Sequence, residues 1–476
     1  MRLQTLTIQD FSFGQVSKDS EFLIPDNALA LCKNGIVGRE GIKKRGGYEK
    51  WNSTAIGGGT DKVTSIIRFT VSSGTKYFLA FCGTDIYKAD LTNKTFSSIK
   101  SGITADLLWD FAAYNDKLYM SNGTDNFMSF DGTTVTEHST LPKGKYLVVL
   151  KDRLWVAGVS SSPYRLYYSD VGDPETFGAN NYIDFPESPH GYEGVITGLG
   201  IFGNDVVVFK EKATYMVIER VPGSFSVIQI DALKGCIAHH SICNVPGGLF
   251  FLSGDGVYLF TGSQLRFVGE PIRDYTDNRA TAQITKAVSA FYDNCYYLSF
   301  PKSGSTDNDI TVVFNTLGGW SVFEYGFHYF SVWEDKTIYG AGDNGYVYQL
   351  DKGKTDDGNS IIFKVKTKSY GDEVYKVFRQ CSIDALATAG IMSINAIIDG
   401  GKYTQSRSVN LTPVNAYLVG DASSTVGTAQ VAGEYAYHRI PLAVVGKRVQ
   451  LDLESSSDED IILKAITLKF REKRRK

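Results

Sequence analysis

The chain has 476 residues, with 49 Lys and Arg against 52 Asp and Glu, a formal net charge of -3 with histidines neutral. That balance speaks against a protein that wraps duplex DNA, which needs a broad basic face to neutralise phosphates, although it leaves room for a local patch. At 43% hydrophobic residues the chain is too apolar for a disordered polymer and long enough for roughly two to three domains.

Tyr and Phe number 28 each beside 5 Trp, and the 48 glycines exceed the usual share of about 7%. Aromatic residues favour strands and glycines take the positive-φ corners of tight turns, so the composition is that of a β-protein with many short connections. Six cysteines (Cys32, Cys82, Cys236, Cys243, Cys295, Cys381) form no C-x-x-C pair and are too few to staple a chain of this size. They are expected to be reduced and buried.

In chain order, residues 1–50 open with the extended aromatic stretch MRLQTLTIQDFSF. It has no charged segment leading into an apolar one, and no run of 18 apolar residues occurs in the chain. Synthesis as a soluble chain in the cytoplasm, with no membrane span, is therefore expected. PDNALALCKNG follows, with Asp26 placed to cap a short helix ended by Asn34 and Gly35.

Between 51 and 352 a turn signature recurs: CGTDIYKAD from Cys82, NGTDNFMSFDG from Asn122, SGDGVYLFTG from Ser253 and AGDNGYVYQLD from Ala341. Each is a Gly-Asp or Gly-Thr-Asp hairpin turn followed by an alternating strand. Phe127 and Tyr258 are 131 residues apart, three periods of roughly 44, the length of a four-stranded propeller blade. Degenerate copies fill the gaps at RLYYSD (Arg165–Asp170), KEKATYMVI (Lys210–Ile218) and AFYDNCYYLSF (Ala290–Phe300). The spacing predicts a β-propeller of roughly seven four-stranded blades, with stacked β-sandwiches as the competing fold. From 353 to 476 the repeat stops, and the alternation in MSINAIIDGG, GKRVQLDLES and IILKAITLKF predicts a C-terminal β-sandwich or platform domain.

Residues that carry chemistry are sparse. His239 and His240 are adjacent, and on a strand they would point to opposite faces, so no shared metal is expected. No nucleophile elbow, Walker loop or deaminase motif is present. IGGGTDK (Ile56–Lys62) reads as a flexible loop, and the acidic stretches STDNDI (Ser305–Ile310) and SSSDEDI (Ser455–Ile461) read as solvated hairpin loops before calcium sites. The expectation is a protein that is not an enzyme, with no catalytic, metal or cofactor-binding residues. Candidate partner contacts are the basic turn Lys43, Lys44, Arg45 and the terminal run Lys473, Arg474, Arg475, Lys476.

Several longer segments carry a family resemblance. DFSFGQVSKDSEFLIPDNALALCKNGIVGREGIKKRGGYEK (Asp10–Lys50) combines an aromatic-glycine opening, a LIPDNAL segment and a basic turn ending in Gly-Tyr. With YYSDVGDPETFGANNYIDF, VVVFKEKATYMV, GCIAHHSICNVPGGLFFLSGDGVYLF, GKRVQLDLES and IILKAITLKFREK, it resembles the tail nozzle, or packaged-DNA stabilisation, proteins of short-tailed bacteriophages. Gly46 stands where such proteins usually have proline, and Phe177 where tryptophan is common.

The resemblance implies a propeller joined to a platform to which the 1–50 arm contributes, assembled as a ring, typically a hexamer, in the virion tail. The implied partners are further copies of the chain, the head–tail adaptor, tail fibre or needle proteins, and genomic DNA that passes through the lumen without sequence-specific binding. The lumen is expected to be neutral or acidic, since a strongly basic wall would hold DNA by counterion release. A carbohydrate- or receptor-binding propeller of the tail and a cellular scaffold propeller are the competing functions.

Overall fold

A computed structural model describes residues 3–185, 193–412 and 436–473. The chain divides into two compact units. One comprises Lys50–Thr311 and Tyr325–Leu350, the other Met1–Glu49, Val312–Glu324 and Asp351–Lys476. The excursion at Val312–Glu324 has no counterpart in the sequence reading.

The first unit is a β-propeller. Five consecutive four-stranded antiparallel sheets, blades 1 to 5, span 63–101, 110–138, 146–184, 196–231 and 243–267. A closing blade holds Tyr329–Val332, Ile338–Ala341 and Val347–Leu350. From blade 2 onward the first strand of each sheet packs against the first strand of the next. The series runs on through Val288–Tyr292 to Tyr329–Val332, which returns to Val63–Thr70 of blade 1.

Six sheets are thus separate blades, where the spacing predicted about seven. The hairpin of Val288–Tyr292 and Cys295–Phe300 supplies a further inner strand, but the strands that follow it, Ile310–Asn315 and Trp320–Phe323, leave this unit at Val312. The four quoted turn signatures all join the second and third strands of a blade, which is why they recur at the blade period. Neighbouring blades share apolar clusters, such as Phe81, Trp109, Leu118 and Met128 between blades 1 and 2, and Trp155, Leu166, Leu199 and Val208 between blades 3 and 4.

The ring closes at a seam between its first and last residues. Trp51 N–H donates to Val347 O at 2.7 Å, and Ile56 N–H to Gly345 O at 2.9 Å. The buried Asn52 side chain accepts from Val347 N–H at 2.8 Å and donates to Gly345 O at 2.9 Å. Gly345 has φ +69°, and a Cβ there would lie 2.2 Å from Ile56 O, so this close approach admits only glycine. Trp51 sits edge-on to Phe78, Phe96 and Trp333 at 5.1 to 6.4 Å, a cluster from blade 1 and the closing blade.

The second unit is built on a mainly antiparallel sheet. The 18-residue strand Tyr370–Ala387 pairs with Ala436–Ser455 on one side and with Ile461–Glu472 on the other. N-terminal strands complete it. Gln4–Ile8 and Gly41–Lys44 pair with Ile461–Glu472, and Ala28–Lys33 pairs with Phe363–Thr367. Its core therefore mixes Ile8, Leu29, Val37 and Ile42 with Phe363, Ile383, Leu451 and Leu468.

The helix expected after Asp26 is instead the strand Ala28–Lys33. Its partners on both edges outweigh a local helical preference, and Asn34 ends it in the left-handed region at φ 53°. All six cysteines are free thiols, five of them buried and Cys243 half-buried.

Replacing Asn52 by Ala strands the Val347 N–H at the seam, while the Gly345 carbonyl keeps the Ile56 N–H. It should lower unfolding stability by about 2 kcal/mol, read by urea denaturation.

Candidate functional site

The axis of the propeller holds the one cluster of potential metal ligands found among the described residues, Asp110, His239 and His240. Asp110 begins the inner strand of blade 2, Asp110–Tyr114. The two histidines lie in the 3-10 turn His239–Ser241 that leads into blade 5. They are therefore not on a strand, and the premise that their side chains diverge fails. Their rings lie 4.9 Å apart, and one ligand atom from each of the three residues falls within 4.8 Å of the others.

The turn is held from all around the ring. Asp110 Oδ2 contacts His239 Nε2 at 2.8 Å and accepts from Leu147 N–H of blade 3 at 2.6 Å. His239 Nδ1 accepts from Leu199 N–H of blade 4 at 3.3 Å, which assigns the ring proton to Nε2 and makes Nε2 the donor to Asp110. Ser289 Oγ donates to His240 O, and Tyr296 OH to Ser241 O, both at 2.9 Å. The His240 ring packs 5.3 Å from Tyr329 of the closing blade, and the His239 ring 4.7 Å from Tyr146 of blade 3.

A cavity of about 160 Å³ remains beside the cluster, lined also by Ser289, Tyr329 and Phe330. At about 30 Å³ each it has room for roughly five waters. Burial opposes ionisation of Asp110, but the hydrogen bonds from His239 Nε2 and the Leu147 amide hold its carboxyl below the usual carboxylate range. Burial, reinforced by His239, pushes the His240 imidazole down to about 3.

A second polar group lies where the chain enters the inner strands. Asp307 Oδ1 receives Lys62 Nζ at 2.8 Å and Lys286 Nζ at 3.0 Å, while His328 Nε2 meets Asp343 Oδ1 at 2.9 Å. The acidic stretch STDNDI is thus spent on protein donors, since Asp309 also accepts from Lys302 N–H and Ser305 Oγ. In the second unit an open groove is lined by Phe22, Glu373, Tyr375, Lys447 and Arg448. Its charges are largely paired with one another, through Lys447–Glu373 at 2.6 Å and Arg448–Glu373 at 3.1 Å.

No family model matches the chain, and no curated protein sequence matches it. Solved structures do. BamB from Moraxella catarrhalis aligns with a TM-score of 0.41 at 9% identity, covering 64% of this chain and 97% of that one. BBS1N, from its complex with ARL6DN, gives 0.43 at 10% over 64% and 97%, and PorZ of Porphyromonas gingivalis gives 0.38 at 14% over 72% and 50%. At these identities each is a likeness of chain trace alone.

The basic residues singled out in the sequence are divided by the structure. Lys44 is buried and donates to Ser457 O at 2.5 Å, and burial lowers its ammonium below the usual range. Arg45 is buried as well, forked onto Asp356 at 2.8 and 2.5 Å, bonded to Asn34 Oδ1 and lying over the Phe323 ring. Both are internal struts of the second unit. Lys43 and Lys473 are exposed, and Arg474, Arg475 and Lys476 lie outside the described residues.

Sequence reasoning missed Asp110, whose partner His239 is 129 residues away, and the buried pair Lys210–Glu193 at 3.0 Å. No local spacing signals either one.

Two outcomes follow from these contacts. Arg45→Ala leaves the Asp356 carboxylate without its fork and should cost about 3 kcal/mol or more in urea unfolding, whereas Lys43→Ser and Lys473→Ser should each stay within about 0.5 kcal/mol of the parent. Burial works against ionisation of Asp307, but Lys62 and Lys286 hold its carboxyl well below the usual range. Its stabilisation is therefore complete above the unfolded value near ~3.9 and fades as pH falls through the folded value. The stability gap between the parent and Asp307→Asn should be full at neutral pH and shrink in acid denaturation series.

Proposed function

We propose that the protein is a structural ring component of a virus particle, a tail nozzle of the short-tailed bacteriophage type. It sits below the head–tail adaptor, retains packaged DNA and conducts it during ejection. The observation that carries this reading is the composition of the second unit. Strands from 1–49 and from 351–476 share one sheet and one core in a chain that also holds a propeller, the organisation that the sequence resemblance implies.

The axial turn adds a constraint. With His239 and His240 held by contacts from blades 2, 3 and 4, the 288–300 hairpin and the closing blade, side chains and a cavity of about 160 Å³ occupy the propeller axis at that level. A duplex whose major groove alone is about 12 Å wide cannot pass there. In this reading the DNA conduit is the lumen enclosed by several copies of the chain, and the propeller serves as a rigid body for contacts. Exposed Lys43 and the basic C-terminal run are offered to the adaptor, fibre or needle.

Light scattering on the purified chain, alone and mixed with the adaptor ring of its particle, tests the reading. A monomer that forms a ring of about six copies only on the adaptor is the expected result. A chain whose mass is unaffected by the adaptor would overturn it and favour a receptor-binding propeller.

A further inference from the structure

We propose that Asp110, His239 and His240 bind one transition-metal dication of the zinc type on the propeller axis. Two imidazoles and one carboxylate form a mixed nitrogen and oxygen set that suits Zn²⁺, Co²⁺ or Ni²⁺. Calcium and magnesium take oxygen ligands only, and copper(I) and iron–sulfur centres want thiolates. The nearby thiol of Cys236 is directed to the backbone, at 3.1 Å from Ala238 O.

The site is largely organised before an ion arrives. The three ligand atoms already lie within 4.8 Å of one another. The turn is locked by Ser241 N–H to Ala238 O at 3.0 Å, Ile242 N–H to His239 O at 2.9 Å and Ser241 Oγ to Ala238 O at 2.6 Å. The Leu147 amide fixes the Asp110 carboxylate, an outer partner of the kind that orients metal ligands.

Binding has an identifiable cost. Ligands at ordinary zinc distances stand roughly 3.3 Å apart in a tetrahedron, so His239 Nε2 and Asp110 Oδ2 must separate slightly from 2.8 Å. The Nε2 proton must also leave or move to Nδ1, in competition with the long bond from Leu199 N–H at 3.3 Å. Affinity on the order of micromolar follows, weaker than a dedicated structural zinc. Three protein ligands leave a coordination position toward the cavity beside Ser289 and Tyr329, where water completes the shell. The ion then ties blade 2 to the segment leading into blade 5 across the axis.

The test uses the full chain stripped with a chelator. Zn²⁺ is titrated by calorimetry, and Co²⁺ by the visible bands that appear when nitrogen ligands bind it. One ion per chain is expected, with binding weakened at least about tenfold in His240→Gln and in Asp110→Asn. Absence of binding to the parent chain overturns the proposal, as does binding that persists unchanged in His240→Gln, which means the ion sits elsewhere. His240 makes no side-chain bond to a neighbouring blade in the hydrogen-bond pattern described above. That variant therefore serves as the folded control, checked by circular dichroism, should Asp110→Asn lose the Leu147 anchor and unfold.

Discussion

A propeller blade is apolar on both faces, so it is stable only when both faces are covered. That constraint obliges the first blade to meet the last. Here the meeting is made by Trp51 and Asn52 against Gly345 and Val347, with Trp51, Phe78, Phe96 and Trp333 filling the wedge behind them. Aromatic pairs of this geometry add about 0.5–1.5 kcal/mol each beyond their buried area. The seam therefore combines directional backbone bonds with dense apolar packing. Closure also determines where the chain leaves the ring. The ring's first and last residues meet where Trp51 bonds Val347, and the segments before and after can share one core, as Ile8, Leu29 and Val37 do with Phe363, Ile383 and Leu451.

The same ring makes an axis, and the axis is where inner strands present polar groups to one another. Asp110, Tyr146, Leu199, Ser289 and Tyr329 come from different sheets and converge on a single short turn. Imidazoles in such a place are kept neutral by desolvation, as the depressed His240 shows. At the level of this turn the propeller axis holds side chains and a small polar cavity.

Much of the fold was legible in the sequence. The Gly-Thr-Asp and Gly-Asp turns at Cys82, Asn122, Ser253 and Ala341 recur because each closes the middle hairpin of a blade, a local event controlled by a few residues. The degenerate copies at Arg165 and Lys210 were readable by spacing even though their turn chemistry differs, whereas the one at Ala290 is a hairpin whose following strands leave the ring. Ala28–Lys33 was not. Its Ala and Leu residues suit a helix, and only pairing with Phe363–Thr367, more than 300 residues away, makes a strand of it. The basic turn misled in a related way, because charge in sequence does not distinguish an exposed Lys43 from an Arg45 buried against Asp356.

Alternation, turn residues and the roughly 44-residue period act over a few neighbours. By itself, then, the sequence determined an all-β chain of repeated four-stranded sheets followed by a different β-rich segment. Only the tertiary structure decided that both chain ends build one unit, that the repeat series passes out of the ring at Val312, and that Asp110 meets His239 and His240. Those contacts depend on sheet order and ring closure, which bring residues together across hundreds of positions without leaving a spacing to read.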